Sequence, residues 1–165
     1  MALKQTLKVY LRLLRGLFTT LKYITFDQMK HISILVPQGN SIADTIIATY
    51  NMLKMANTHH QRLNGLAEPL FTIDLVGIGD EPITYQGLFT ITPTSSIEYV
   101  KKTDLIIICP ISGDMEHGIK ENQGFVKWIK NQRIVNRSEI ASLCKGAFLL
   151  AETGLVNGKN CATHW

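Results

Sequence analysis

Apolar positions along this chain follow two alternating periods. His31 to Val36, Phe71 to Val76, Leu105 to Cys109 and Glu139 to Leu143 are short runs with the length and β-branched or aliphatic content of strands. Ile42 to Met55 and Asn122 to Arg133 carry helical spacing, with Phe125, Val126, Trp128 and Ile129 read as core packing. Gly146 to Ala151 has the composition of a buried helix. Leu105-Ile-Ile-Ile-Cys109 is continuously apolar, as a central parallel strand buried on both faces should be. Its end, Pro110 to Gly113, is expected at the ligand-bearing edge of the sheet.

Between these elements, Pro37-Gln-Gly39 closes the first strand, and Asn40 or Ser41 is the expected cap of the following helix. Asp80 to Gly87 is turn-rich, Leu88 to Ile91 reads as a short extra strand, and Ser95 or Ser96 as the cap of a short helix through Lys101. Asn160 to Thr163 reads as the start of one more strand. Gly77-Ile-Gly79 lacks the third glycine and the helix of a dinucleotide fingerprint. The order predicts an α/β fold: a doubly wound, mostly parallel sheet with helices on both faces.

The first 28 residues stand apart. Leu3, Leu7, Leu11, Leu14, Phe18 and Leu21 form a basic amphipathic pattern with no acidic residue before Asp27. A membrane-surface helix, a targeting presequence and a dimerisation helix all fit it. The reading we favour makes it a non-native extension upstream of a start at Met29, which directly precedes the first strand. The α/β domain then occupies residues 29–165.

The net charge of +4 resides in that extension. Residues 1–28 hold five basic residues against Asp27, leaving twelve of each sign in the body, which offers no basic stripe for a phosphate backbone. The 45% hydrophobic and 18% charged composition is that of an ordinary globular domain. Charges interrupt every apolar run before the ~18 residues a membrane span requires. Three cysteines, Cys109, Cys144 and Cys161, make no even disulfide set, and without a secretory signal they point to the cytoplasm. No Cys-x-x-Cys or His-Glu-x-x-His spacing indicates a metal, and His59-His60 is expected in a solvated loop after the helix.

Cys144 falls between a strand and a helix, where a sharp turn lifts a side chain above the sheet and aims a helix N-terminus at it. A thiol so placed is pushed toward thiolate. The competing reading is a buried core cysteine.

The segment Cys144-Lys-Gly-Ala-Phe-Leu-Leu-Ala-Glu-Thr-Gly-Leu-Val-Asn-Gly158, with Ala162-Thr-His-Trp165, resembles the DJ-1/PfpI superfamily, also described as class I glutamine amidotransferase-like. More narrowly, it is similar to the N-terminal sensor domain of AraC-type (GlxA-like) transcriptional regulators. The resemblance covers about residues 29–165 and implies a flavodoxin-like sheet with a cysteine nucleophile elbow. It implies that Cys144 is the elbow cysteine, His164 the histidine beside it, and Asp44 the acidic residue sent up from the first helix. A nearby carboxyl shares or manages the thiol proton, and an imidazole accepts it. The backbone N–H groups of Lys145 and of Ser112 would stabilise an oxyanion.

Three departures accompany the resemblance. Pro110-Ile-Ser112 replaces a Gly-Gly pair common in enzymatic relatives, and Lys145 is unusual beside the cysteine. The superfamily domain normally continues past the histidine, so the domain is expected to be incomplete at its C-terminus, less stable or self-associating, and without a helix-turn-helix domain. The implied function is a small-molecule sensor domain of an AraC-type regulator, a homodimer that uses no cofactor and does not bind DNA by itself. The alternatives are a cysteine-dependent hydratase, amidase or glyoxalase-like enzyme, and a redox protein that uses Cys144 as an oxidisable thiol.

Overall fold

The structure, a computed structural model, describes residues 30–65 and 68–163. The expectations for residues 1–28 and for His164 lie outside the described residues. Strands β1 (Lys30–Leu35), β2 (Phe71–Gly77), β3 (Ile83–Tyr85), β4 (Phe89–Ile91), β5 (Ser95–Ser96), β6 (Leu105–Ile108) and β7 (Glu139–Ser142) alternate with helices α1 (Ala43–Asn64), α2 (Met115–Glu121), α3 (Gln123–Val135) and α4 (Gly146–Glu152).

Five strands form one parallel sheet in the order β5-β2-β1-β6-β7. β1 pairs along its whole length with β2, setting Ile32 opposite Ile73, and on its other side Ile32 faces Leu105 of β6. Central strands read as continuous apolar runs because alternate residues enter different cores. Leu35, Ile106 and Ile108 pack with Phe125, Val126, Trp128 and Ile129 of α3 and with Leu149 and Leu150 of α4. Ile34, Val36, Ile107 and Cys109 face the other way, toward Ala43 and Ile46 of α1 and toward Ile83, Tyr85 and Ile91. This is the α/β, doubly wound, mostly parallel arrangement the pattern predicts.

Several boundaries differ from the sequence reading, each for a tertiary reason. α1 runs to Asn64 and stops where Gly65 turns left-handed at φ 59°, so His59 and His60 lie on the helix and not in a loop. Asn57 holds this polar extension: its carboxamide accepts from the Leu70 and Phe71 N–H groups and donates to the Phe71 carbonyl. The α1 cap is Ile42, whose apolar side chain can make no capping bond, and the hydroxyl of the expected cap Ser41 donates to the Pro110 carbonyl. Ser95 and Ser96 add a short edge strand beside Val76 and Gly77, in place of the expected helix. α2 was not apparent in the sequence; Asp114 caps it by accepting from the His117 N–H at 3.1 Å.

β3 belongs to the stretch read as turn. It pairs antiparallel with β4 through a tight turn at Gln86 and Gly87, whose φ values of 53° and 68° suit a primed hairpin turn. Asn160 to Thr163 form no regular strand.

Candidate functional site

The strand order reverses between β1 and β6, and in open parallel sheets the crevice at that switch, beyond the carboxyl ends of the strands, receives ligands. Three connections meet this edge: Val36 to Ile42 after β1, Cys109 to Asp114 after β6, and Leu143 to Lys145 after β7. The first two are bound to each other. The Ser41 hydroxyl, buried, donates to the Pro110 carbonyl at 2.7 Å, Ser41 and Ile111 form a bridge, and the Ser112 N–H donates to the Asn40 carbonyl at 2.9 Å.

Two buried side chains secure the β1 connection from outside. Asn122 accepts from the Gln38 N–H at 2.9 Å and donates to the Gln38 and Gly118 carbonyls. Tyr85 donates its hydroxyl to the Pro37 carbonyl at 2.7 Å. Burial, followed by the neighbouring Cys109, raises the Tyr85 pKa, so the phenol stays a neutral donor. Gly39 takes the left-handed φ of 70° and packs against the end of the Glu121 side chain.

Cys144 is exposed and sits at φ 50°, a left-handed conformation that costs a residue with a β-carbon on the order of 1 kcal/mol or more. Its neighbours impose that conformation. The Leu143 N–H makes the last rung to the Ile108 carbonyl at 3.0 Å, and the Gly146 N–H closes back on the Leu143 carbonyl at 2.8 Å. The Cys144 carbonyl accepts from the Ala147 N–H and from the Thr163 hydroxyl, the latter at 3.1 Å. The strained strand-to-helix turn expected at this position is therefore present, and the thiol stands outside the core. The buried cysteine is Cys109, whose thiol burial pushes up to about 12, leaving it protonated and inert.

The remaining expected residues are distributed differently. Asp44 lies exposed in the first turn of α1, and among the described residues it has no hydrogen-bond or ion-pair partner, Cys144 included. Its position, on the helix that follows β1, is the one the resemblance implies; contact with the thiol is not made. The Lys145 N–H has no acceptor among the described residues. The Ser112 N–H, expected as an oxyanion donor, donates to the Asn40 carbonyl. Tyr85, Asn122 and Ser41 were missed by sequence reasoning, because their partners lie 48, 84 and 69 residues away along the chain. Among the described residues no group of three His, Cys, Asp or Glu side chains is placed to hold a metal ion, and no helix is long and apolar enough to cross a membrane.

A doubly wound parallel sheet with a cysteine on a strained turn beside its switch point defines the class of α/β domains built on a nucleophile elbow. Within that class the chain belongs to the DJ-1/PfpI family, whose model matches residues 30–165. Its fold is similar to that of a proposed transcriptional regulator protein from Vibrio parahaemolyticus, at 23% identity and TM-score 0.64, over 79% of this chain and 64% of that one. A DJ-1 superfamily protein from Salmonella typhimurium matches at 12% identity and TM-score 0.59, over 79% of this chain and 64% of that one. An AraC family transcriptional regulator from Pseudomonas putida matches at 13% identity and TM-score 0.55, over 82% of this chain and 66% of that one. The chain thus spans less than two thirds of the first of these structures. No curated protein matches this chain.

Proposed function

We propose that this chain is the small-molecule-sensing, PfpI-like domain of an AraC-type transcriptional regulator, with its ligand seated at the carboxyl edge of the sheet beside Cys144 and Asp44. The observation that carries this reading is the bond from the Ser112 N–H to the Asn40 carbonyl. Acyl and carbonyl chemistry at a thiol relies on N–H donors aimed where the oxyanion develops, and this bond occupies one of the two expected donors. It leaves a rigid, hydrogen-bonded crevice floor with an exposed thiol at its edge, which suits binding better than turnover. The wording of the Cys144 to Gly158 and Ala162 to Trp165 segments, similar to that of regulators, supports the same reading.

The reading includes a homodimer in the cytoplasm that does not bind DNA through this chain alone. Association is supported by Met52, Met55 and Leu63, which lie exposed on α1, and by Ile134 and Val135, exposed at the end of α3. The neutral body supports the lack of DNA binding.

A cysteine-dependent hydratase, amidase or glyoxalase-like activity is the second reading. The exposed, strained Cys144 and the unused Lys145 N–H favour it. Thermal-shift and calorimetric titration with small amides, aldehydes and isonitriles, on wild type and Cys144→Ser, separates the two. Sensing predicts saturable stabilisation that survives Cys144→Ser, with no product formed. Product formation by the wild type that disappears in a folded Cys144→Ser protein would establish the enzyme instead.

A further inference from the structure

Of the three cysteines, Cys109 is fully buried at the end of β6, while Cys144 and Cys161 are exposed and free. A contact no motif assigns returns the segment that carries Cys161 to the Cys144 turn. Past the turns that follow α4, the last of them closed by the Lys159 N–H donating to the Val156 carbonyl at 2.9 Å, the chain runs irregularly. It is fastened again at Thr163, whose hydroxyl donates to the carbonyl of Cys144 itself. Cys161 lies two residues before that anchor, so its α-carbon is within about 7 Å of that of Thr163. A disulfide asks for α-carbons about 4.4–6.8 Å apart. The irregular, exposed stretch from Asn160 to Ala162 can adjust to this without disturbing a strand or a helix.

We propose that Cys144 and Cys161 form a peroxide-driven redox pair, with Cys144 as the thiol oxidised first and Cys161 as the thiol that resolves it. The Cys144 sulfur attacks one oxygen of hydrogen peroxide or an organic hydroperoxide. The O–O bond breaks, and the thiol proton leaves with the departing oxygen as water or an alcohol. The resulting sulfenic acid is then attacked by the Cys161 sulfur. The S–O bond breaks, the Cys161 proton leaves with the hydroxyl as water, and the S–S bond forms. Two thiols together lose two hydrogens and two electrons, and the peroxide is reduced. Resolution to a disulfide stops further oxidation of the elbow thiol, covers it and ties the tail to the turn. The pair is independent of whether the crevice binds or converts a ligand.

The test uses the full chain with stoichiometric hydrogen peroxide, non-reducing electrophoresis and peptide mass mapping. The expected result is a monomeric species in which the Cys144 and Cys161 peptides are joined with the loss of two hydrogens, reversed by dithiothreitol. Cys161→Ser should instead accumulate a sulfenic acid at Cys144 that dimedone traps at least tenfold more than in wild type, and Cys144→Ser should leave Cys161 reduced. Circular dichroism of both variants establishes that they are folded; both positions are exposed, and Cys161→Ala serves as the second variant. Wild type that advances to sulfinic acid at Cys144 with Cys161 still reduced would overturn the pairing. So would cross-linking only between molecules, or the absence of any oxidation.

Discussion

The α-carbon of Gly146 packs against the carbonyl oxygen of Ile108, so closely that a β-carbon there would overlap it and press on the carbonyl of Cys109. α4 can start directly against the end of β6 only because residue 146 has no side chain, and that approach sets the height of the Cys144 turn.

Gly146→Ala is therefore expected to destabilise the fold by about 2 kcal/mol or more, since main-chain oxygens cannot move aside as a flexible side chain would. Urea denaturation measures the loss. An unchanged midpoint would mean that the turn has slack.

The left-handed backbone at Cys144 makes an unusual ranking testable. Cys144→Gly should be at least as stable as wild type, whereas the β-branched Cys144→Val should lose about 1–2 kcal/mol. Thermal melts of the pair read this independently of thiol chemistry. A valine variant as stable as the glycine one would contradict the strain.

Asn122→Ala would strip partners from the Gln38 N–H and from the Gln38 and Gly118 carbonyls at once. Because these groups are buried or partly buried, a loss of about 2–4 kcal/mol is expected. Faster hydrogen exchange at the Gln38 amide should accompany it. Exchange that stays as slow as in wild type would show that the loop is held by other contacts.

Cys109 predicts the alkaline limb of stability. Its folded pKa is raised by burial from 9.0 to about 12, so its contribution is complete below about pH 9. Above that, the unfolded chain releases the proton while the native state keeps it, and unfolding becomes easier by up to about 1.4 kcal/mol per pH unit. Tyr85, raised for the same reason, adds a parallel loss above pH 10. Urea midpoints at about pH 8 and pH 10 should fall in wild type and fall less in Cys109→Val. Equal falls would place the effect elsewhere.

The legible parts of the fold are those whose information is local. Leu105 to Cys109 reads as a doubly buried strand because five consecutive apolar residues admit little else, and α3 reads as a helix because its apolar residues share one face. α1 was read too short because its last turns are polar and are held by the bonds of Asn57 to the backbone at the start of β2, a contact that periodicity does not encode. α2 was hidden by the sequence Met-Glu-His-Gly-Ile-Lys-Glu, whose glycine weakens helix propensity.

By itself the sequence determined β1, β2, β6 and β7 of the central sheet, the doubly wound class, and the abrupt turn at Cys144, because hydrophobic period and a strand–cysteine–glycine–helix succession act over a few residues. Only the tertiary structure decided which groups at the crevice are free. The Ser112 amide is taken by Asn40, the Pro37 and Gln38 backbone is held by Tyr85 and Asn122, and Thr163 returns to the Cys144 carbonyl. Each of these depends on a partner remote in the chain, which becomes a neighbour only after the sheet has ordered its strands.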